Sequence, residues 1–219
     1  MNSSKLLITL LALAGTLCGP ALRAATLSVQ VLGADGQPAP NAVVEVLTPQ
    51  APKAAPAKPI PIVQRHVRFE PYVTAIPAGA TVRFVNEDDF DHHLRSLPAG
   101  PLGTIPPAQE FELRMAPGSP QRPTTAELKF EQPGLVVLGC HLHGAMRGHI
   151  YVGHSPLLAV TDAQGRASVS GVPEGQAEIR LWHPEQLIEQ PPTPWQVGGP
   201  ADQTLRLNFT PPKPRARRG

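Results

Sequence analysis

The chain has 219 residues, of which 19 are lysine or arginine and 17 are aspartate or glutamate, and its formal net charge is +2 at pH 7. Four of the basic residues lie in the C-terminal segment PPKPRARRG, so the rest of the chain has no basic excess and nucleic acid is not an expected partner. Proline (28 residues) and glycine (19 residues) are abundant. Few stretches have the apolar period of a helix, so the composition predicts short strands joined by turns.

The N-terminus has the pattern of a secretory signal peptide over residues 1–24. Lys5 is followed by the apolar run LLITLLALAGTL and then by small residues that end at ALRA. We predict cleavage after Ala24, with Ala25 as the alternative, and a periplasmic location for the mature protein. The run is shorter than a transmembrane helix requires, so no membrane span is expected after cleavage. An uncleaved anchor and a lipidated Cys18 are the less favoured alternatives.

Short segments with strand character follow in chain order, separated by turn signals. Residues 26–48 contain LSVQVL, the turn GADGQ and NAVVEVL, and we assign them to the first strands of a small sandwich. Residues 49–61 form a proline- and alanine-rich linker. Residues 62–153 hold about eight predicted strands, and residues 154–210 hold LLAVT, RASVSGV and GQAEIRLW. Residues 211–219 are predicted to be a basic, disordered tail.

The fold prediction is all-β, with two β-sandwiches. The turn sequences GADGQP and TDAQGR are of the same kind and lie in the first and last of these segments. We therefore predict that residues 26–48 and 154–210 build one small sandwich, with residues 62–153 inserted between them as a second sandwich. Two separate domains in series are the alternative topology.

Cys140 is the only cysteine that remains once residues 1–24 are removed. Exported proteins use cysteines mainly in disulfide pairs, so an unpaired thiol is either buried and inert or held by a ligand. Cys140, His143 and Met146 have the spacing C-x2-H-x2-M, which a loop between two strands can direct to one point. Thiolate and thioether are soft ligands and imidazole is intermediate, a set that suits copper better than zinc. The spacing therefore predicts a copper site.

A trigonal copper site needs a second imidazole from a distant strand end, and TVRFVNEDDFDHH offers His92 and His93. Neighbours on a strand point to opposite faces, so one of the two enters the site. We interpret His141 and His149 as surface residues without a role, or as ligands, together with His93, of a second and weaker copper site. The acidic run at 87–89 is interpreted as a solvated loop.

The loop GCHLHGAMRGHIYV resembles the copper loop of the cupredoxins, above all of amicyanin and pseudoazurin. TVRFVNEDDFDHH resembles their first ligand strand, in which a histidine lies six positions after an asparagine, and counting from Asn86 leads to His92. The resemblance implies one type 1 copper site cycling between Cu(I) and Cu(II). Its equatorial ligands would be His92, Cys140 and His143, and its weak axial ligand Met146. Asn86 would fix the cysteine loop by hydrogen bonding.

More closely, the chain resembles periplasmic cupredoxin-like proteins of the methylamine utilization family, which combine a double histidine with a G-C-N-I-H-D-W-M loop. Gly139, Cys140, His143 and Met146 match that loop, whereas His141 departs from it. The segments GVPEGQ and LWHP resemble the carboxypeptidase-regulatory-like or transthyretin-like sandwich found beside such modules. The implied fold is a Greek-key cupredoxin β-sandwich plus a small immunoglobulin/transthyretin-like β-sandwich.

The residues and the resemblance together predict a periplasmic copper protein that transfers single electrons, with an unidentified redox protein as its partner. The alternative is copper handling, meaning tolerance, storage or delivery, with a copper donor or acceptor as the partner. The sequence supplies no nucleophile and general-base pair of hydrolase type, so we expect no enzymatic activity.

Overall fold

The computed structural model describes residues 24–55, 57–100, 103–199 and 201–212. Within these ranges the chain forms sixteen strands and no helix, and the predicted all-β fold is confirmed. The described part accordingly contains no helix with the length and hydropathy needed to cross a membrane. Nearly all of the predicted signal peptide and most of the predicted tail lie outside the described residues, so both stay predictions.

The strands follow one another closely along the chain. In chain order they are β1 (Ala24–Leu32), β2 (Val43–Leu47), β3 (Ile60–Arg65), β4 (Arg68–Glu70), β5 (Val73–Pro77), β6 (Ala80–Asn86), β7 (His92–Leu97), β8 (Glu112–Met115), β9 (Thr124–Phe130), β10 (Gly134–Cys140), β11 (Arg147–Gly153), β12 (Leu158–Val160), β13 (Arg166–Pro173), β14 (Gly175–Trp182), β15 (Thr193–Val197) and β16 (Asp202–Arg206).

One sandwich is built from the nine strands β3 to β11. Its five-stranded sheet has the order β5-β11-β10-β7-β8, and its four-stranded sheet has the order β4-β3-β6-β9. The pairs β3–β6 and β5–β11 are parallel, and the other pairs are antiparallel. Strand alternation turns large apolar side chains such as Phe84, Phe130 and Ile150 into one core between the sheets. This core is the rigid support for the residues at the sheet ends.

Strands from both ends of the chain share the sheets of the other sandwich. One sheet has the order β13-β1-β16 and the other β12-β2-β14-β15. β1 pairs antiparallel with β13 and parallel with β16, while β2 pairs antiparallel with both β12 and β14. Their inner faces enclose a separate apolar core that includes Leu27, Val46, Ile179 and Trp195. The domain boundaries given above stay a prediction.

The two sandwiches contact each other through the outer face of the five-stranded sheet. Val73 and Tyr151 on that face form a small buried cluster with Val43 of β2, and Trp182 of β14 packs against it. The Tyr151 and Trp182 rings have centroids 5.6 Å apart. Burial of these apolar groups stabilises the contact between the sandwiches.

A buried carboxylate lies at the same contact. Glu45 is fully buried and accepts hydrogen bonds from Tyr151 Oη at 2.7 Å and from the backbone N–H of Ser155 at 2.9 Å. The Arg180 guanidinium lies 3.7 Å from the same carboxylate. Burial and, to a smaller extent, the neighbouring charge of Glu45 raise the pKa of Tyr151. The phenol therefore stays protonated and donates its hydrogen bond to Glu45. These contacts stabilise the Glu45 carboxylate, which would otherwise be a buried and unpaired charge.

Candidate metal centre

Three side chains with metal-binding atoms meet at one end of the five-stranded sheet. His92 is the first residue of β7 and Cys140 is the last residue of β10, and these strands pair so that Cys140 lies opposite Leu94. His143 lies in the loop that joins β10 to β11. The ligating atoms of His92, Cys140 and His143 all lie within 4.8 Å of one another. The fold therefore brings together three of the residues named from the sequence.

The distances within this cluster fit two imidazoles and a thiolate on one metal ion. Cys140 Sγ lies 3.6 Å from His92 Nδ1 and 3.5 Å from His143 Nδ1. Ligand atoms about 2.0–2.3 Å from one ion, at angles between tetrahedral and trigonal, are about 3.5–3.8 Å apart. His92 is 0% and Cys140 3% exposed, so a metal ion held here would be shielded from bulk water on its inner side.

Met146 lies at the base of the same loop. Its side chain is 1% exposed and packs in the apolar cluster that contains Cys140. Its backbone N–H donates to the carbonyl of His143 at 2.8 Å, which closes the turn between the two residues. The thioether is thus sequestered with the thiol rather than exposed, while its role as a weak axial ligand stays a prediction.

Asp88 orients the His92 ring. Asp88 Oδ2 lies 2.9 Å from His92 Nε2. An ionised carboxylate only accepts hydrogen bonds, so Nε2 carries the proton and the Nδ1 lone pair faces Cys140 Sγ. Asp88 is 7% exposed, and the interpretation of residues 87–89 as a solvated loop was wrong for this residue. The available signal in the sequence was an acidic residue four positions before a candidate histidine ligand.

Asp88 is itself held by the backbone. The N–H groups of His66 and Val67 donate to its carboxylate at 2.6 and 3.1 Å. These two residues form the hairpin turn between β3 and β4, and both have positive φ (53° and 58°), as a two-residue type I′ turn requires. Burial alone raises the pKa of Asp88, but hydrogen bonds from His92, Val67 and His66 lower it below its ordinary value. Asp88 is therefore a fixed anion beside the centre.

Asn86 supports the loop that leads into β7. Its Nδ2 donates to the carbonyls of Phe90 at 3.0 Å and Ala116 at 2.8 Å. The predicted bond from Asn86 to the cysteine loop is not among the hydrogen bonds that this side chain makes in the described structure. Cys140 Sγ instead receives the backbone N–H of His93 at 3.4 Å. An N–H group directed at the sulfur holds the position of the Cys140 side chain.

The other histidines near the loop separate into two groups. Strand alternation turns the His93 side chain away from the cluster, and its ring lies 5.2 Å from the His141 ring, centroid to centroid. His149 is directed elsewhere: its Nε2 lies 3.1 Å from Tyr72 Oη and its ring 5.9 Å from that of Trp182. Of the three histidines in the alternative interpretation of a second site, His93 and His141 thus lie side by side, whereas His149 lies against Tyr72 and Trp182.

The position of His149 gives an expected dependence of stability on pH. Burial, with a smaller effect from His183, lowers the pKa of His149 from 6.5 to about 4. Between these values the unfolded chain binds more protons than the folded one, so stability falls as the pH drops from 6.5 towards 4. Because part of the ring still meets solvent, we expect His149→Gln to remove on the order of 1–2 kcal/mol of this fall.

Urea unfolding of the metal-free chain near pH 7 and near pH 4.5 measures this difference. His154→Gln, which changes an exposed histidine, should leave the dependence unchanged. An equal loss of stability on acidification in the wild type and in His149→Gln would contradict the assignment.

Comparison with known proteins gives likeness of fold at low identity. No protein-family model and no curated protein matches the chain. Amicyanin from Paracoccus versutus is 20% identical over 50% of this chain and 97% of its own, with a TM-score of 0.35. A purple cupredoxin from Nitrosopumilus maritimus is 20% identical over 43% of this chain and 99% of its own, also with a TM-score of 0.35.

A third solved structure with a similar fold is larger than this chain. It is a copper-containing nitrite reductase from Thermus scotoductus, which is 24% identical over 56% of this chain but only 28% of its own, with a TM-score of 0.37. Values this low carry no conclusion about function.

Proposed function

We propose that the protein binds one copper ion at His92, Cys140 and His143, with Met146 as a weak axial ligand, and transfers single electrons. The observation that carries the proposal is the convergence of one buried thiol and two imidazole nitrogens, all within 4.8 Å of one another. Two imidazoles and a thiolate, with a weak thioether, are the donor set of blue-copper electron-transfer sites. When bound, copper supplies the one-electron couple between Cu(I) and Cu(II).

The chain's own contribution is to hold these donor atoms in fixed places. Asp88 fixes the proton and the orientation of the His92 ring, and the N–H of His93 fixes Cys140 Sγ. Both ligand strands belong to one sheet on a close-packed core, which resists displacement of their ends. If the donor atoms move little between the two redox states, the reorganisation energy of electron transfer stays small. This rigidity supports electron transfer.

His143 offers the proposed route for electrons to the surface. It is the most exposed member of the cluster, and its ring packs against Phe90 with centroids 5.2 Å apart. Phe90 is 36% exposed, and Leu142, which directly precedes His143 in the chain, is 55% exposed. An imidazole edge surrounded by exposed apolar side chains suits brief contact with another protein. The proposed partner is accordingly a redox protein, the proposed location is the periplasm, and the proposed role is not enzymatic.

Copper handling is the second candidate, and the partly exposed imidazole of His93 and the exposed imidazole of His141 beside the centre favour it. A copper carrier must release its metal readily, whereas an electron carrier retains it through many redox cycles. We expect the copper-loaded mature chain to give a reversible one-electron voltammogram. We also expect it to keep its copper for hours against an excess of the Cu(I) chelator bathocuproine disulfonate. Loss of the metal to the chelator within minutes would favour handling over electron transfer.

A further inference from the structure

We infer that the outer face of the same strand ends forms a second, separate metal site from His93, His141 and Glu112. The ion bound there would be a borderline divalent cation such as Cu(II) or Zn(II). Imidazole and carboxylate are donors that such cations accept, and the group contains no thiol or thioether. The site goes beyond the proposed function and does not rest on it, because none of its side chains belongs to the inner cluster.

The two imidazoles are held together by the backbone. The N–H of His141 donates to the carbonyl of His93 at 2.8 Å, which joins the start of β7 to the residue after β10. The rings are 5.2 Å apart between centroids and inclined by 32°. His92 and Cys140 are buried, whereas His93 follows on the other face of β7 by strand alternation and His141, the residue after β10, is exposed. Two imidazoles at this separation can reach one ion by small rotations of their side chains.

Glu112 adds a carboxylate to the pair. Its Oε2 lies 3.6 Å from His93 Nε2, which is longer than an ordinary hydrogen bond. It is close to the roughly 3.4 Å between tetrahedral nitrogen and oxygen ligands of one ion. Two arginines neighbour the group in the strand pairing: Arg95 lies opposite Glu112, and Arg114 lies opposite His93 and is bonded to Asp91 at 2.9 Å. The Arg114 charge is therefore engaged away from Glu112.

The three outer donor atoms would come together only when the ion binds. Among the described residues, only His92, Cys140 and His143 bring three such ligand atoms within 4.8 Å of one another, so the three outer donors are not all that close. The His93 side chain is 32% and that of Glu112 63% exposed, and His141 is exposed. Exposed side chains rotate at small cost, and a cation from solution reaches them directly. The geometry thus points to an accessible site of moderate affinity.

The test uses Cu(II) as the probe on the untagged mature chain. A Cu(II) titration, monitored by calorimetry and by electron paramagnetic resonance, should show that the chain binds one equivalent of Cu(II) in addition to the ion at the inner site. That equivalent should have an axial signal with nitrogen hyperfine coupling and should add no thiolate absorption. We expect His93→Ala and His141→Ala each to weaken it at least about tenfold, and Glu112→Gln to weaken it by a smaller factor. His154→Ala, another exposed histidine, is the matched control and should bind as the wild type does.

The optical spectrum of each variant separates this inference from the proposed function. If the inner site fails to bind copper as proposed, thiolate absorption is missing while the nitrogen-coupled signal persists and still depends on His93 and His141. If the outer site is wrong, either no second equivalent binds to the wild type, or both variants bind it unchanged. Far-UV circular dichroism confirms that the variants retain the fold.

Discussion

Replacing Cys140 with serine is expected to abolish the intense visible absorption of the copper-loaded protein. The band we expect in the wild type arises from charge transfer between a thiolate and Cu(II), and a serine hydroxyl is neither ionised nor soft enough to replace that donor. The two imidazoles remain, so Cys140→Ser should still bind Cu(II), more weakly and with a pale spectrum. The optical spectrum and the voltammogram of the same sample measure the loss.

The control for this experiment is His141→Ala, which removes the imidazole directly after Cys140 but not a ligand of the inner cluster. Its visible absorption should match that of the wild type. If the wild type instead shows a pale spectrum that Cys140→Ser leaves unchanged, the thiolate site does not exist. The protein would then be a histidine-based copper binder or a sandwich with a buried, inert thiol.

Replacing Asp88 with asparagine is expected to lower the affinity for copper about 10–100-fold, the usual effect of removing the carboxylate that orients a metal-binding histidine. The amide is a neutral and weaker acceptor for His92 Nε2–H, so the tautomer that directs Nδ1 at Cys140 is less favoured. Removal of a fixed negative charge also destabilises Cu(II) more than Cu(I). The reduction potential should therefore rise.

Asp89→Asn supplies a matched control, because it removes the same charge from the next residue, whose side chain is exposed. Competition with a chelator gives the affinity of each variant, and voltammetry gives the potential. Equal changes in Asp88→Asn and Asp89→Asn would mean that only the charge of the loop matters. An unchanged affinity in Asp88→Asn would contradict the orienting role.

The double residues at the two strand ends have one physical explanation. His92 and Cys140 face the core because β7 and β10 are antiparallel neighbours whose inward positions coincide at that end of the sheet. His93, the next residue of β7, faces outward by strand alternation, and His141, the residue after β10, is exposed beside it. A single register therefore separates a soft, buried donor set from a harder, exposed one, even though the four residues are two adjacent pairs in sequence.

Several features of the fold and of the centre could be predicted from the sequence because their causes are local. Alternating apolar residues and glycine- or proline-containing turns indicated an all-β chain, which the structure confirms. The spacing of Cys140, His143 and Met146 depends on one short loop, and the structure shows the first two close together. The rule that only one of His92 and His93 enters the centre follows from strand alternation alone.

Other features depend on residues that are distant in sequence, and local patterns cannot express them. The identity of the inward histidine is decided by the register between β7 and β10, and His92 is the one whose Nδ1 meets Cys140 Sγ. In sequence, Asp88 has the appearance of a residue in a solvated acidic run. In the structure, the turn formed by His66 and Val67 supplies two N–H groups to its carboxylate.

The direction of His149 is the clearest case. Its place in the loop sequence suggested a third outer histidine, but Trp182 and Tyr72 enclose it where the sandwiches meet. By itself, the sequence determined the type of fold, the donor types and the loop spacing, because these follow from neighbouring residues. The tertiary structure alone decided which carboxylate orients His92 and where His149 lies. Those choices depend on sheet register and on contact between two separately packed cores.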